Sequence, residues 1–188
     1  VSIQLPTTGI DVVSLARRLL AYTSEFFATA SIALPSRQYI APGTPSTVAW
    51  DCEQLVVTLA ALNFGKGQAA LNYNTTVGPS AGDEMRNASF GVQLVRCTPG
   101  FEEPTEGLLG QGWLPEVDEI NTSGEQMLID AGTLSQALSN LAAKADPQFT
   151  AATGGTLVQA GAVTSFGPAG CLWGITGSLT VTVGVLLP

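Results

Sequence analysis

The sequence predicts an α+β domain in which an antiparallel sheet of about four strands is covered by two helices, in the order helix, strand, strand, helix, strand, strand. Three observations predict it. The last stretch, Gly174 to Leu187, places Ile175, Leu179, Val181, Val183, Val185 and Leu187 on one parity and Thr176, Ser178, Thr180 and Thr182 on the other, with Gly177 the gap in the apolar row. A period of two built from β-branched residues is a strand with one dry face and one wet face. Two stretches, around Val12 to Phe27 and Met127 to Leu141, repeat apolar residues at helical spacing and supply a cover for that dry face. The 188 residues suit a single structural domain spanning 1–188, long enough to bury roughly two thirds of the surface its unfolded chain exposes. No disulfide is needed for such a core.

Val1 to Pro6 reads as a short extended lead. Thr8 followed three residues later by Asp11 is a capping pair that opens the first helix. Its stripe of Val12, Leu15, Ala16, Leu19, Leu20, Phe26 and Phe27 runs through about Ala28. Residues 34–46 contain Pro35, Pro42, Gly43 and Pro45, which break both helix and ladder, so an exposed Pro/Gly arm is expected there, a natural contact surface. Val48 to Phe64 is a long strand. Its two parities, Leu55, Val57, Leu59, Ala61 and Val56, Thr58, Ala60, Leu62, are both fairly apolar, which predicts a central position.

Residues 65–87 are polar and rich in Gly, Asn and Thr, and predict a long mobile loop between two antiparallel strands. Ala88 to Thr98 is the second strand, with Phe90, Val92 and Leu94 inward, stopped by Pro99. Gly100 to Glu119 reads as an irregular acidic linker. Thr122 and Glu125 form a second capping box, opening a helix from Asn121 to Lys144 whose stripe is Met127, Ala131, Leu134, Leu138 and Leu141, and Pro147 ends it. Thr156 to Phe166 is a weaker third strand, and Gly167, Pro168 and Gly170 turn the chain into the last one.

Composition excludes several functions. Charged residues make up 12% of the chain and hydrophobic residues 45%, against a usual charged share of about a quarter. Much of the surface is therefore neutral, which suits burial against other copies. The net charge of −8 repels phosphate backbones and anionic membranes, and no basic run offers a nucleic-acid track. No stretch has the apolar length of a membrane span or the pattern of a signal peptide, so the expected site of synthesis is the cytoplasm.

The absence of histidine removes Ser-His and Cys-His nucleophile pairs and the commonest metal ligand. Cys52, Cys97 and Cys171 are odd in number and widely spaced, which predicts reduced, buried thiols without metal. Asp51, Cys52 and Glu53 cannot converge within a strand, because alternate residues point to opposite faces. The acidic linker lacks calcium-loop spacing. Gly65-Lys66-Gly67 lacks the rest of a phosphate loop. Three glycosylation sequons, at Asn74, Asn87 and Asn121, read as chance matches. No catalytic residue, cofactor or metal ligand is expected. Trp50, Trp113 and Trp173 read as core or interface residues rather than a ligand pocket, Trp113 in its acidic loop being a fair interface anchor.

Three segments carry a resemblance. Tyr39-Ile40-Ala41-Pro42-Gly43, Ala49-Trp50-Asp51-Cys52-Glu53-Gln54-Leu55-Val56-Val57 and Val92-Gln93-Leu94-Val95-Arg96-Cys97 resemble the tail terminators, or head-to-tail joining proteins, of long-tailed phages infecting actinobacteria. The likeness continues loosely through a helix, a Gly-Pro turn and a Thr/Val-alternating last strand, from Asn121 to Pro188.

The resemblance implies a virion structural protein and no enzyme: a small α+β subunit that closes into a ring, a homohexamer, at the head-proximal end of the phage tail. It implies contacts with copies of itself, with the tail-tube protein and with a neck or connector protein. DNA would pass through the lumen without specific binding. Interface residues expected are Tyr39, Pro42, Gly43 and Trp50, within the matching segments, and Trp113, from its place in the acidic loop. A neck stopper or tail-tube protein is the alternative within virus assembly, and a small-ligand binding module would need a pocket of convergent polar groups that the sequence does not show.

Overall fold

The computed structural model describes residues 12–42, 53–64, 85–97, 117–153, 157–169 and 172–182. Helix α1 spans Val12–Thr29, strands β1 to β3 span Arg37–Pro42, Gln54–Phe64 and Met85–Cys97, and helix α2 spans Val117–Ala142. A short helix α3 follows at Pro147–Ala152, then strands β4 (Leu157–Ala160), β5 (Thr164–Ala169) and β6 (Leu172–Thr182). The class is α+β, as expected. The described strands form one six-stranded sheet in the order β1-β2-β3-β6-β4, with β5 also paired to β6.

The sheet is mixed rather than purely antiparallel. The expected arm is the reason: its residues Arg37 to Pro42 lie parallel to β2, with Arg37 opposite Gln54 and Pro42 opposite Leu59. Pro42 closes an edge strand, where a missing N–H costs no ladder bond on the open side. The expected third strand is two strands, β4 against Leu179 to Thr182 and β5 against Leu172 to Thr176, both on the same side of β6. The expected loop at 65–87 ends earlier, since Met85 to Asn87 belong to β3, and the last residues of the expected linker, Val117 to Glu119, open α2. Gly43 to Ser46, the rest of that loop and of that linker, and the end of the last strand beyond Thr182 lie outside the described residues.

Register explains the core. Leu55, Leu94 and Ile175 align across β2, β3 and β6, as do Val57 with Val92, and Phe90 with Leu179. These join Leu15, Leu19 and Phe27 of α1 and Leu134, Leu138 and Leu141 of α2 in one cluster, each fully buried Leu or Phe contributing about 1.5–3 kcal/mol. In β2 an extra residue between Leu59 and Ala61 shifts the register. This bulge brings Leu62, opposite Ala88, onto the same face as Leu59 and settles which of the two apolar parities faces the helices.

The gap in the apolar row of β6 has a cause. A Cβ on Gly177 would stand 2.6 Å from Leu138 Cδ1 and 3.1 Å from Val163 Cγ2, so glycine is what lets α2 lie against the sheet. On the opposite face Phe166 of β5 covers Gly174, where a Cβ would meet its ring at 2.3 Å.

Helix ends depart from the expectation. α2 begins at Val117, a turn before the Thr122/Glu125 box, and Thr122 Oγ1 donates to the Asp118 carbonyl at 2.8 Å inside the helix. Asp118 and Glu119 occupy its first turn, where carboxylates favour the helix dipole. α2 ends with Lys144 at φ 61°, with Lys144 N–H bonded to Leu141 O and Ala145 N–H to Asn140 O. α1 ends the same way, with Ser31 at φ 58° and Ile32 N–H bonded to Phe27 O. Each is a left-handed C-terminal cap made without glycine. Pro147 does not end α2; it opens α3, where Asp146 is the N-cap and accepts from Phe149 N.

Candidate assembly surface

The described parts of the segments with the resemblance become three adjacent strands. Tyr39 of β1 sits opposite Val56 of β2, which sits opposite Gln93 of β3. Tyr39 Oη and Gln54 Oε1 are 3.0 Å apart, the hydroxyl donating, and the Arg37 guanidinium lies 5.9 Å from the centre of the Tyr39 ring. Gln54 and Thr58 are buried on the face away from the helical core, with Val56 and Val95. Tyr39 is half-buried and Ile40 is 39% exposed. On its far side β1 has no strand beside it among the described residues, which makes it the edge of the described sheet.

Of the residues expected at an interface, Tyr39 and Pro42 are both on this edge strand. Gly43, Trp50 and Trp113 lie outside the described residues. Trp173 stands in β6 at 5% exposure and belongs to the interior.

Two arginines anchor the helices: Arg96 ties the sheet to α2, and Arg18 ties α1 to the start of α3. Arg96 points to the helix face of β3, and its guanidinium meets Asp130 of α2 through two bonds, Nε to Oδ2 at 2.5 Å and Nη2 to Oδ1 at 3.2 Å. Arg96 also donates to the Ala33 carbonyl at 2.8 Å, and Gln126 Nε2 donates to Asp130 Oδ1 at 2.9 Å. Asp130 is fully buried. The network thus ties the segment after α1, the middle of the sheet and α2 together, with each charge partnered as burial demands.

In the second pair Arg18 of α1 donates to Asp146 at the start of α3 and to Glu25, and it lies over the Tyr22 ring at 5.8 Å. Arg18 holds the Asp146 carboxyl below the usual carboxylate range, against the opposing effect of burial and with help from the Phe149 N–H. In sequence both arginines are merely scattered cations. The signal for Arg96 is its parity with Phe90, Val92 and Leu94, which forces an inward charge, and Asp130 falls within the buried stripe of α2.

Cys97, the last residue of β3, is disulfide-bonded, which corrects the expectation that all three cysteines are reduced. An odd count excludes a complete framework but leaves room for one bridge and one thiol. The other cysteines, Cys52 and Cys171, lie outside the described residues. Among the described residues no group of three or more Cys, Asp or Glu is placed to hold a metal ion, and no helix is long and apolar enough to cross a membrane.

The surface of the helix layer is unusually apolar. Val117 and Leu128 are each 71% exposed, and Ile120, Ile129 and Val13 are about half exposed. Four of these five stand on α2. Exposed apolar residues gathered on one element mark a contact surface more than scattered ones do. The chain matches no protein-family model and no curated protein sequence.

Proposed function

We propose that the chain is a virion structural protein of a long-tailed phage, a tail terminator subunit that closes into a ring, caps the tail tube and joins it to the head. The observation that carries the reading is the adjacency of β1, β2 and β3: the described parts of the segments that resemble the terminator family lie side by side in register, linked by the Tyr39–Gln54 hydrogen bond. Motifs far apart in sequence thereby form one structural unit whose outermost strand, among the described residues, has a neighbour on one side only.

That edge gives the unit a use. A strand with an unpaired side takes up a strand or backbone from a neighbouring chain, and a closed ring consumes such edges in a controlled number. The neutral, partly apolar surface favours repeated contacts, and the net charge of −8 suits a lumen wall past which DNA moves without binding. The partners are copies of the chain in a ring of about six, the tail-tube protein and a neck protein. The protein works by shape and contact, without catalysis or cofactor, in the virion after synthesis in the host cytoplasm.

Gold-labelled antibody to the chain, applied to purified virions, tests this. A single label where tail meets head is the expected result. Label along the whole tail makes the chain a tube protein, and virions without label overturn the reading.

A further inference from the structure

Ile120, Gly124, Leu128 and Gly132 follow one another along α2 at steps of four, so they form a single ridge line on the helix. None has a polar side chain, and the next step along the line, the exposed Gln136, ends the apolar row. The ridge faces outward: Leu128 is 71% exposed, Ile120 53%, Gly132 is exposed and Gly124 is half-exposed. Val117 and Ile129 flank it, both exposed. A Cβ built on Gly124 or Gly132 would meet nothing within 4 Å. The packing of the described chain therefore gives no reason for glycine at two positions inside a long helix, where glycine is disfavoured. Glycines on either side of an exposed leucine do have a use when another helix comes close: its side chains enter where Cβ atoms are missing, and Leu128 fills the groove between its turns.

We infer that this ridge receives the outer face of α1 from a second copy of the chain. Charge selects that occupant. α2 contains no Lys or Arg, and its exposed Asp118 and Glu125 stand two turns apart on one side, Glu125 one turn before Leu128. Two copies of α2 facing each other would bring no cation to these carboxylates. The outer row of α1 does: Val13, Arg17 and Ala21 stand at steps of four and are all exposed, Val13 by 50%. Arg18 is committed to Asp146 and Glu25, whereas Arg17 has no ion-pair partner among the described residues.

The contact joins two different surfaces of one chain. Each copy offers α2 to one neighbour and α1 to the other, which is the head-to-tail arrangement that closes rings. One helix against one helix covers less than the roughly 800 Å² per partner of a stable free-standing interface. It therefore acts together with the strand edge, not alone. The inference rests on the ring reading above and names the surfaces through which the ring closes.

Sedimentation of the full chain over a concentration series up to the millimolar range tests it, with melting followed in parallel to show that each variant folds. Wild type is expected to associate. Leu128→Glu and Arg17→Glu each weaken association about tenfold or more, and Arg17→Glu combined with Glu125→Arg restores most of it. A monomeric wild type at every concentration, folded variants that associate like wild type, or a charge swap without rescue overturns the inference. Loss with Leu128→Glu but not with Arg17→Glu assigns the ridge to an α2–α2 pair instead and also overturns it. If the rescue works but labelled virions show no signal at the head–tail junction, the helix contact stands and the terminator reading fails. Label at the junction with unaffected variants means the reverse.

Discussion

The two faces of α2 both carry large apolar side chains, yet they live in different surroundings. The inner face sets Leu134, Ala137, Leu138 and Leu141 against the sheet, and its buried carboxylate, Asp130, is matched by Arg96. The outer face presents Leu128 to solvent, with glycines at 124 and 132 that nothing in the described chain fills. The difference separates two kinds of hydrophobic pattern. The inner face is complete within one chain and stabilises the fold. The outer face contributes little to the lone subunit and is suited to stabilising an assembly, so substitutions on the two faces should be read out by different measurements.

The inner face should break most severely at its charge. Asp130→Ala leaves Arg96 buried without its anion and is expected to cost about 3–5 kcal/mol in denaturant unfolding, whereas replacing both Arg96 and Asp130 by apolar residues of similar size recovers most of that. A double variant as unstable as the single one would show that the pair itself, rather than the unpaired charge, carries the stability. Next comes the site where α2 meets β6. Gly177→Ala forces Leu138 aside and should cost about 1–3 kcal/mol, measured the same way.

How much of this is legible in the sequence follows from where each signal resides. Local periodicity places α1, the buried stripe of α2, the inward row of β3 and the alternation of β6. Gly177 shows as a gap, but its reason is a contact with Leu138, thirty-nine positions earlier in the chain, and no window of sequence contains both. The prolines of 34–46 suggest an unpaired arm. Its Arg37 to Pro42 form a parallel edge strand, because pairing on one side only tolerates a proline at the end. Thr122 and Glu125 fit a capping box and put the start of α2 too late, while the acidic first turn at Asp118 and Glu119 is the true start. α3 escapes a sequence reading because Pro147 looks like a stop when Asp146 before it makes it a start. Of the expected contact residues, Tyr39 and Pro42 fall on the edge strand. The apolar ridge of α2 lies in plain sequence, yet periodicity alone does not tell an outward row from an inward one.

Asp146 gives a smaller effect with a defined pH signature. Its folded-state pKa lies below its unfolded one, chiefly because Arg18 donates to it. Its contribution is therefore fully present above the ordinary Asp value of about 4 and lost as pH falls through the depressed folded value. Asp146→Asn keeps a capping side chain and should flatten the acid limb of the stability curve. Asp146→Ala should cost about 1 kcal/mol more, from the lost cap. An unchanged acid limb in Asp146→Asn would remove the ion pair from the account.

On the outer face the expected sign reverses. Gly124→Ala and Gly132→Ala should each raise the stability of the isolated subunit by about 0.5–1 kcal/mol, since alanine suits a helix interior and meets nothing there. Both should weaken self-association. Destabilisation of the lone subunit would mean that the chain itself fills these positions and that the two faces of α2 do not differ as described.

The most direct measurement of the central claim is a reconstruction of the virion that contains the chain, at a resolution that traces helices. The account predicts one ring of copies at the head-proximal end of the tail, with the α2 ridge around Leu128 covered by α1 of the adjacent copy. Many stacked rings along the tail, or a single ring in which that ridge faces solvent, would contradict it.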